Sequence, residues 1–149
     1  MKTFEKKETV NDLNDFLANL QIFYQNLRGL HWNIKGKQFF VLHAKFESYY
    51  DQIAEWVDEV AERILTVGGT PVHAFSDYIK ISGIKEVKDV CEGSKAVAVV
   101  KENFEFLLEK MYDIQAKASE NEDEGTNGLF SGFIGETEKT LWMLNAYLD

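Results

Sequence analysis

The side chains best suited to chemistry stand on one stretch of the chain: His43, Glu47, Asp58 and Glu62. Imidazole nitrogens and carboxylate oxygens are donors that divalent first-row metals accept. On an α-helix, at roughly 100° per residue, Glu47 lies about 40° round from His43, Asp58 about 60° and Glu62 about 100°. All four share one arc with Ala54 and Ala61, whose small side chains would let another helix approach closely. His43 and Glu47 are one turn apart, as are Asp58 and Glu62, so each pair can chelate. The two pairs are separated by about 16 Å of helix, so one helix cannot bring all four to one ion. An antiparallel copy of the helix, related by a two-fold axis near Gln52 and Ile53, would set His43 and Glu47 of one chain against Asp58 and Glu62 of the other.

His31 joins this set. It precedes the Gly36 turn by about as much as His43 follows it, so an antiparallel hairpin brings the two imidazoles to one height. Two imidazoles with three carboxylates suit ferrous iron, and zinc or manganese could occupy the same donors. The plainer reading is that these acids are solvated, with Glu59, Glu62 and Arg63 forming ordinary surface pairs. That reading explains any one of the acids better than it explains all five groups at matching heights and angles. No Glu or Asp stands three residues before His31, His43 or His73, so the Glu-x-x-His pattern of a di-iron site within one bundle is not expected.

The elements that must position these groups are helices. Apolar residues recur at three- and four-residue spacing from about Val10 to Trp32, and a short turn over 33–38 follows. A second helix is expected from about Phe39 to Val67, stopped by Gly68, Gly69 and Pro71. Its apolar arc, Leu42, Phe46, Ile53, Trp56, Val60 and Ile64, adjoins the ligand arc and can face the core. Residues 70–89 read as a long connection with a short helix around Phe75 to Ile79. Further helices are expected from about Val90 to Ser119 and Thr126 to Tyr147, flanking an acidic turn over 121–125. Two hairpins joined by a long crossover make an all-α four-helix bundle, read as one domain over residues 1–149.

The chain has 149 residues, with 45% hydrophobic side chains, ten Gly and one Pro, and net charge −9. That length can bury a real core. The acidity opposes phosphate backbones and anionic membrane surfaces and suits a protein that gathers cations. Cys91 is the only cysteine, which excludes an internal disulfide, a thiolate zinc site and CxxC chemistry. No signal-type start and no long apolar run are present, so a cytoplasmic location without membrane partners is expected.

Two stretches carry a resemblance. One is His31-Trp32-Asn33-Ile34-Lys35-Gly36 followed by Leu42-His43 and Glu47; the other is Val57-Asp58-Glu59-Val60-Ala61-Glu62-Arg63 with Gly68, Gly69 and Pro71. With the helical layout and Leu141-Trp142-Met143-Leu144, the chain resembles the Dps family of mini-ferritins. The resemblance implies a ferritin-like bundle assembled as two-fold dimers within a hollow dodecamer. It implies oxidation of Fe(II), preferentially by hydrogen peroxide or else by dioxygen, and storage of ferric oxyhydroxide, which protects against oxidative stress. It implies that His31, His43 and Glu47 come from one subunit and Asp58 and Glu62 from its two-fold partner. Position 47 is often Asp in relatives, and Glu reaches one methylene further.

Other residues have paired readings. Trp32 and Trp56 are electron donors to the site when iron is short, or, as the preferred reading, core packing. Glu122, Asp123 and Glu124 line an iron pore by analogy with the family, or are a solvated acidic loop. Some relatives compact DNA through Lys-rich tails, but Lys2, Lys6 and Lys7 are offset by Glu5 and Glu8, so DNA binding is not expected. Cys91 reads as a packing residue, His73 as a loop histidine, and residues 85–88 as solvated surface. The alternative from a different class is a helical oligomer that holds zinc without turnover.

Overall fold

The structure, a computed structural model, describes residues 6–149; Lys2, Glu5 and the side chain of Lys6 lie outside the described residues. Five helices follow one another: α1 (Lys6–Asn33), α2 (Phe39–Thr66), α3 (Phe75–Ile81), α4 (Gly93–Glu120) and α5 (Glu124–Leu148). No strand forms among the described residues, only an isolated bridge between Lys35 and Glu92. α1 pairs with α2 and α4 with α5, while α1 also packs on α3 and α4. The chain is therefore the all-α four-helix bundle expected, with the crossover helix present and two residues longer than its pattern suggested.

The apolar stripes make the core. Phe16, Phe23, Phe46, Phe104 and Phe130 are fully buried. Phe23 meets Phe104 edge-on at 4.8 Å and Phe16 meets Phe130 at 5.0 Å, the geometry aromatic quadrupoles prefer. Every buried residue of α2, from Leu42 through Phe46, Tyr49, Ile53, Trp56 and Val60 to Ile64, lies on this side. One face of α2 is thus spent on the bundle, and the other is left outside it.

Helix ends depart from the expected limits for local reasons. α4 begins at Gly93 because the Glu92 carboxylate caps it, accepting from the N–H groups of Ser94 and Lys95. α5 begins at Glu124 because the Asp123 carboxylate accepts from Thr126 N–H. α2 stops where Gly68 takes φ +93°, letting Gly69 N–H reach the Ile64 carbonyl at 2.9 Å.

The crossover is fastened to α1 by asparagines. Asn19 Oδ1 accepts from the N–H groups of Gly83 and Ile84 and from the Ser82 hydroxyl. Asn26 Oδ1 accepts from Val87 N–H, and its amide donates to the Lys85 carbonyl. Asn14 does the same for Val72 and Thr70. Backbone polar groups of a long non-helical segment must be paired somewhere, and here α1 pairs them.

Candidate metal centre

The α1–α2 hairpin brings His31 and His43 face to face. Their rings stack at 3.8 Å with 11° between planes, so the two imidazoles do meet at one height. Each is tied to the other's backbone: His31 Nδ1 lies 2.6 Å from the His43 carbonyl oxygen, and His43 Nδ1 lies 2.8 Å from that of His31. A carbonyl only accepts, so both Nδ1 atoms carry the proton. In the neutral rings both Nε2 atoms then keep a free lone pair, the state in which a metal-binding histidine is normally held. Phe39 stacks on the outer face of His43 at 4.9 Å and Tyr50 stands edge-on to His31 at 5.3 Å.

Glu47 completes this cluster. Its Oε1 is 3.7 Å from His31 Nε2, and its side chain is about half exposed. His31 itself is buried. The arrangement is a pair of fixed imidazoles under a carboxylate that still faces solvent, so a cation arriving from outside meets the carboxylate first.

Asp58 and Glu62 lie further along the same outward face, both exposed. Neither carboxylate has a hydrogen bond or ion pair among the described residues, whereas Glu47 on the same helix pairs with His31. Arg63, which could have paired with Glu59 or Glu62, turns the other way. Its Nη2 meets Asp123 Oδ1 at 2.8 Å and its Nε donates to Thr126 Oγ1 at 3.0 Å. Among the described residues of one chain, no three His, Cys, Asp or Glu side chains form a group that could hold an ion. The chain therefore presents two separate groups, His31 of α1 with His43 and Glu47, and Asp58 with Glu62, along the outward side of α2.

Several expectations need correction. Asp123 is neither a pore carboxylate nor part of a solvated loop: it is 3% exposed, caps α5 and neutralises Arg63. Glu122 and Glu124 are exposed, Glu122 in left-handed backbone at φ 59°. Cys91 is not a packing residue but exposed, because it precedes α4 in an extended segment whose carbonyl accepts from Lys35 N–H. Trp32 is 55% exposed rather than in the core, its ring 5.0 Å from the Arg28 guanidinium. Trp56 is core packing as preferred, 4.5 Å from Phe133. His73 is an exposed loop residue whose Nδ1 donates to the Pro71 carbonyl.

Sequence reading missed the ring cluster beside His31. Arg28 lies over Tyr24, Trp32 and Tyr50 at 5.7, 5.0 and 5.3 Å, and its Nη1 donates to the Tyr24 hydroxyl at 2.8 Å. The four-residue spacing of Tyr24, Arg28 and Trp32 on α1 was the available signal.

Comparison with known proteins places the chain in a family. A model of the ferritin-like domain matches residues 10–149. The crystal structure of the Dps protein from Vibrio cholerae O1, described as a member of a broad superfamily of ferritin-like diiron-carboxylate proteins, superposes with a TM-score of 0.98. It is 47% identical, with 100% of this chain and 94% of that one covered. The Dps protein from Bacillus brevis superposes at 0.95 with 32% identity, covering 100% of both chains. Among curated relatives, the DNA protection during starvation protein of Porphyromonas gingivalis is 42% identical over 85 residues, which is 57% of this chain and 54% of that protein. An uncharacterized Haemophilus influenzae protein is 47% identical over 84 residues, 52% of its length. The chain thus spans about half the length of the curated relatives it matches. No helix among the described residues is long and apolar enough to cross a membrane.

Proposed function

We propose, from the premise that this chain belongs to the ferritin-like family and within it to the Dps mini-ferritins, that it takes up, oxidises and stores iron. Each oxidation site would be shared by two copies: His31, His43 and Glu47 of one subunit face Asp58 and Glu62 of the partner subunit across a two-fold axis. The observation that carries this reading is the locked imidazole pair. Two histidines whose Nδ1 protons are fixed on opposite backbone carbonyls present two Nε2 donors beside a solvent-facing carboxylate. Two orphaned carboxylates wait on the same helix face, about 16 Å of helix away, which an antiparallel copy brings into register.

Iron is the substrate. The carboxylates attract Fe(II) and favour Fe(III) by offsetting its charge, and the imidazoles fix its position against their backbone tethers. Hydrogen peroxide is the proposed electron acceptor, with dioxygen as a slower substitute. Reducing the O–O bond of one peroxide to two waters takes two electrons, so two ferrous ions consumed together release no hydroxyl radical. The ferric product is stored in the cavity of a dodecameric shell, and Glu122 and Glu124, but not the capped Asp123, would guide cations to it. This protects DNA by removing reactants. Net charge −9 per chain opposes direct binding to phosphates. A zinc-holding oligomer uses the same ligands but consumes no oxidant.

Anaerobic loading with Fe(II) followed by peroxide tests this. The expected result is a rapid ferric absorbance that elutes with a large assembly, at two irons per peroxide. Oxidation no faster than in buffer would instead leave the zinc-holding oligomer as the account of the site.

A further inference from the structure

His31 and His43 are held unequally. Each has its Nδ1 tied to a backbone carbonyl, but one hydrogen bond fixes one atom of a ring and leaves its plane to tilt, because the second side-chain torsion of histidine is broad. Burial closes that freedom for His31, which is 6% exposed. His43 is only half-buried. Its inner face lies on His31 with centroids 3.8 Å apart, and its outer face has one ring contact among the described residues, Phe39 at 4.9 Å with 18° between planes.

The turn before α2 puts Phe39 there. Gly36 takes φ +108°, and its carbonyl accepts from Phe39 N–H at 3.1 Å, so that Phe39 is the first residue of the helix. Side chains four apart stand one above the other on a helix, so this ring falls on the imidazole one turn later. Phe39 is itself partly buried against the core, which steadies its plane. Phe40, the next residue, is 84% exposed and has no ring contact with either histidine among the described residues.

Resting on the metal-site reading above, we propose that Phe39 is a positioning residue for His43: its face fixes the plane of that imidazole and with it the direction of the Nε2 lone pair. A phenyl ring has no donor atom, so its whole effect on the metal passes through His43. Groups that orient a metal-binding imidazole without touching the ion contribute about 10–100-fold to affinity. Here a flat face supplies that orientation from the open side of the ring, while the His31 carbonyl supplies it at Nδ1.

The test titrates the assembled protein anaerobically with Co(II), which takes the same donors, and reads the visible absorbance of the bound ion. Phe39→Leu keeps apolar bulk but removes the flat face, and its affinity should fall about tenfold. Phe39→Tyr keeps the face and should bind as wild type does. In a His43→Ala background Phe39→Leu should have no further effect, whereas a merely structural role would lower affinity in both backgrounds. Should Phe39→Leu fail to assemble, Phe39→Met carries the same prediction. Wild-type affinity in Phe39→Leu, an equal loss in Phe39→Tyr, or a loss that persists without His43 overturns the assignment, even where peroxide-driven iron oxidation is intact. If the tenfold loss is found but wild type oxidises iron no faster than buffer does, the iron-oxidising reading falls and Phe39 remains the positioning residue of a zinc-holding site.

Discussion

The two faces of α2 make opposite use of one helix. On the inner face, Leu42, Phe46, Tyr49, Ile53, Trp56, Val60 and Ile64 find all their partners within the chain. On the outer face, Glu47 pairs with His31, His43 stacks between His31 and Phe39, and the Asp58 and Glu62 carboxylates have no hydrogen bond or ion pair among the described residues. Burial of apolar surface is non-directional, so one chain can complete it alone. Metal ligation needs several donors within a few ångströms, and a straight helix cannot fold back to bring its own ends together. In the proposed reading the unsatisfied face is where a second copy docks, and the satisfied face is what holds it in place.

If this contrast holds, substitutions on the two faces should separate function from stability. Changing His31 and Asp58 to Ala together should reduce peroxide-driven iron oxidation to the rate in buffer while the shell still assembles. Asp58→Asn alone should shift the unfolding free energy by no more than about 0.5 kcal/mol, since its carboxylate touches nothing in its own chain. Stopped-flow absorbance and urea titration read the two effects; a large stability loss at Asp58 would break the division.

The inner face should behave in reverse. Phe104→Ala, which opens a cavity against Phe23 and Tyr49, should cost about 3–5 kcal/mol in denaturant titration. Site chemistry should survive in whatever fraction stays folded. Arg63 sits between the faces: Arg63→Gln leaves Asp123 buried without its charge partner and should cost about 3 kcal/mol. The smallest effect should come from Glu122→Gln with Glu124→Gln. Iron uptake should slow by about two- to several-fold as the local attraction for cations falls, while oxidation by pre-loaded sites is unchanged.

The outer face was more legible in the sequence than the inner polar contacts were, and the reason is range. His43, Glu47, Asp58 and Glu62 are related by one helix, so their angles and heights follow from residue number alone. His31 was placed by symmetry about a short turn, and its ring does stack on His43. By contrast, Asn19 and Asn26 reach partners about 60 residues away, and Arg63 bonds to Asp123 at a similar separation. Such pairs leave no periodic trace, because a polar side chain aimed at a distant backbone looks like any surface residue. Asp123 was accordingly placed in a solvated loop or pore when it was capping a helix. Cys91 and Trp32 were misplaced for a related cause: composition says that such residues are usually buried, and only the packing of neighbouring segments decides where one is left out.

The most direct test of the shared site is complementation between two inactive chains. One carries His31→Ala with His43→Ala, the other Asp58→Ala with Glu62→Ala, and the two are unfolded, mixed equally and reassembled. Half the dimers are then mixed, and each mixed dimer holds one site with every ligand intact, so about a quarter of wild-type peroxide-driven iron oxidation should return. No recovery in a properly assembled mixture, or full activity in the Asp58 and Glu62 variant alone, would contradict the claim that the oxidation site is built from two subunits.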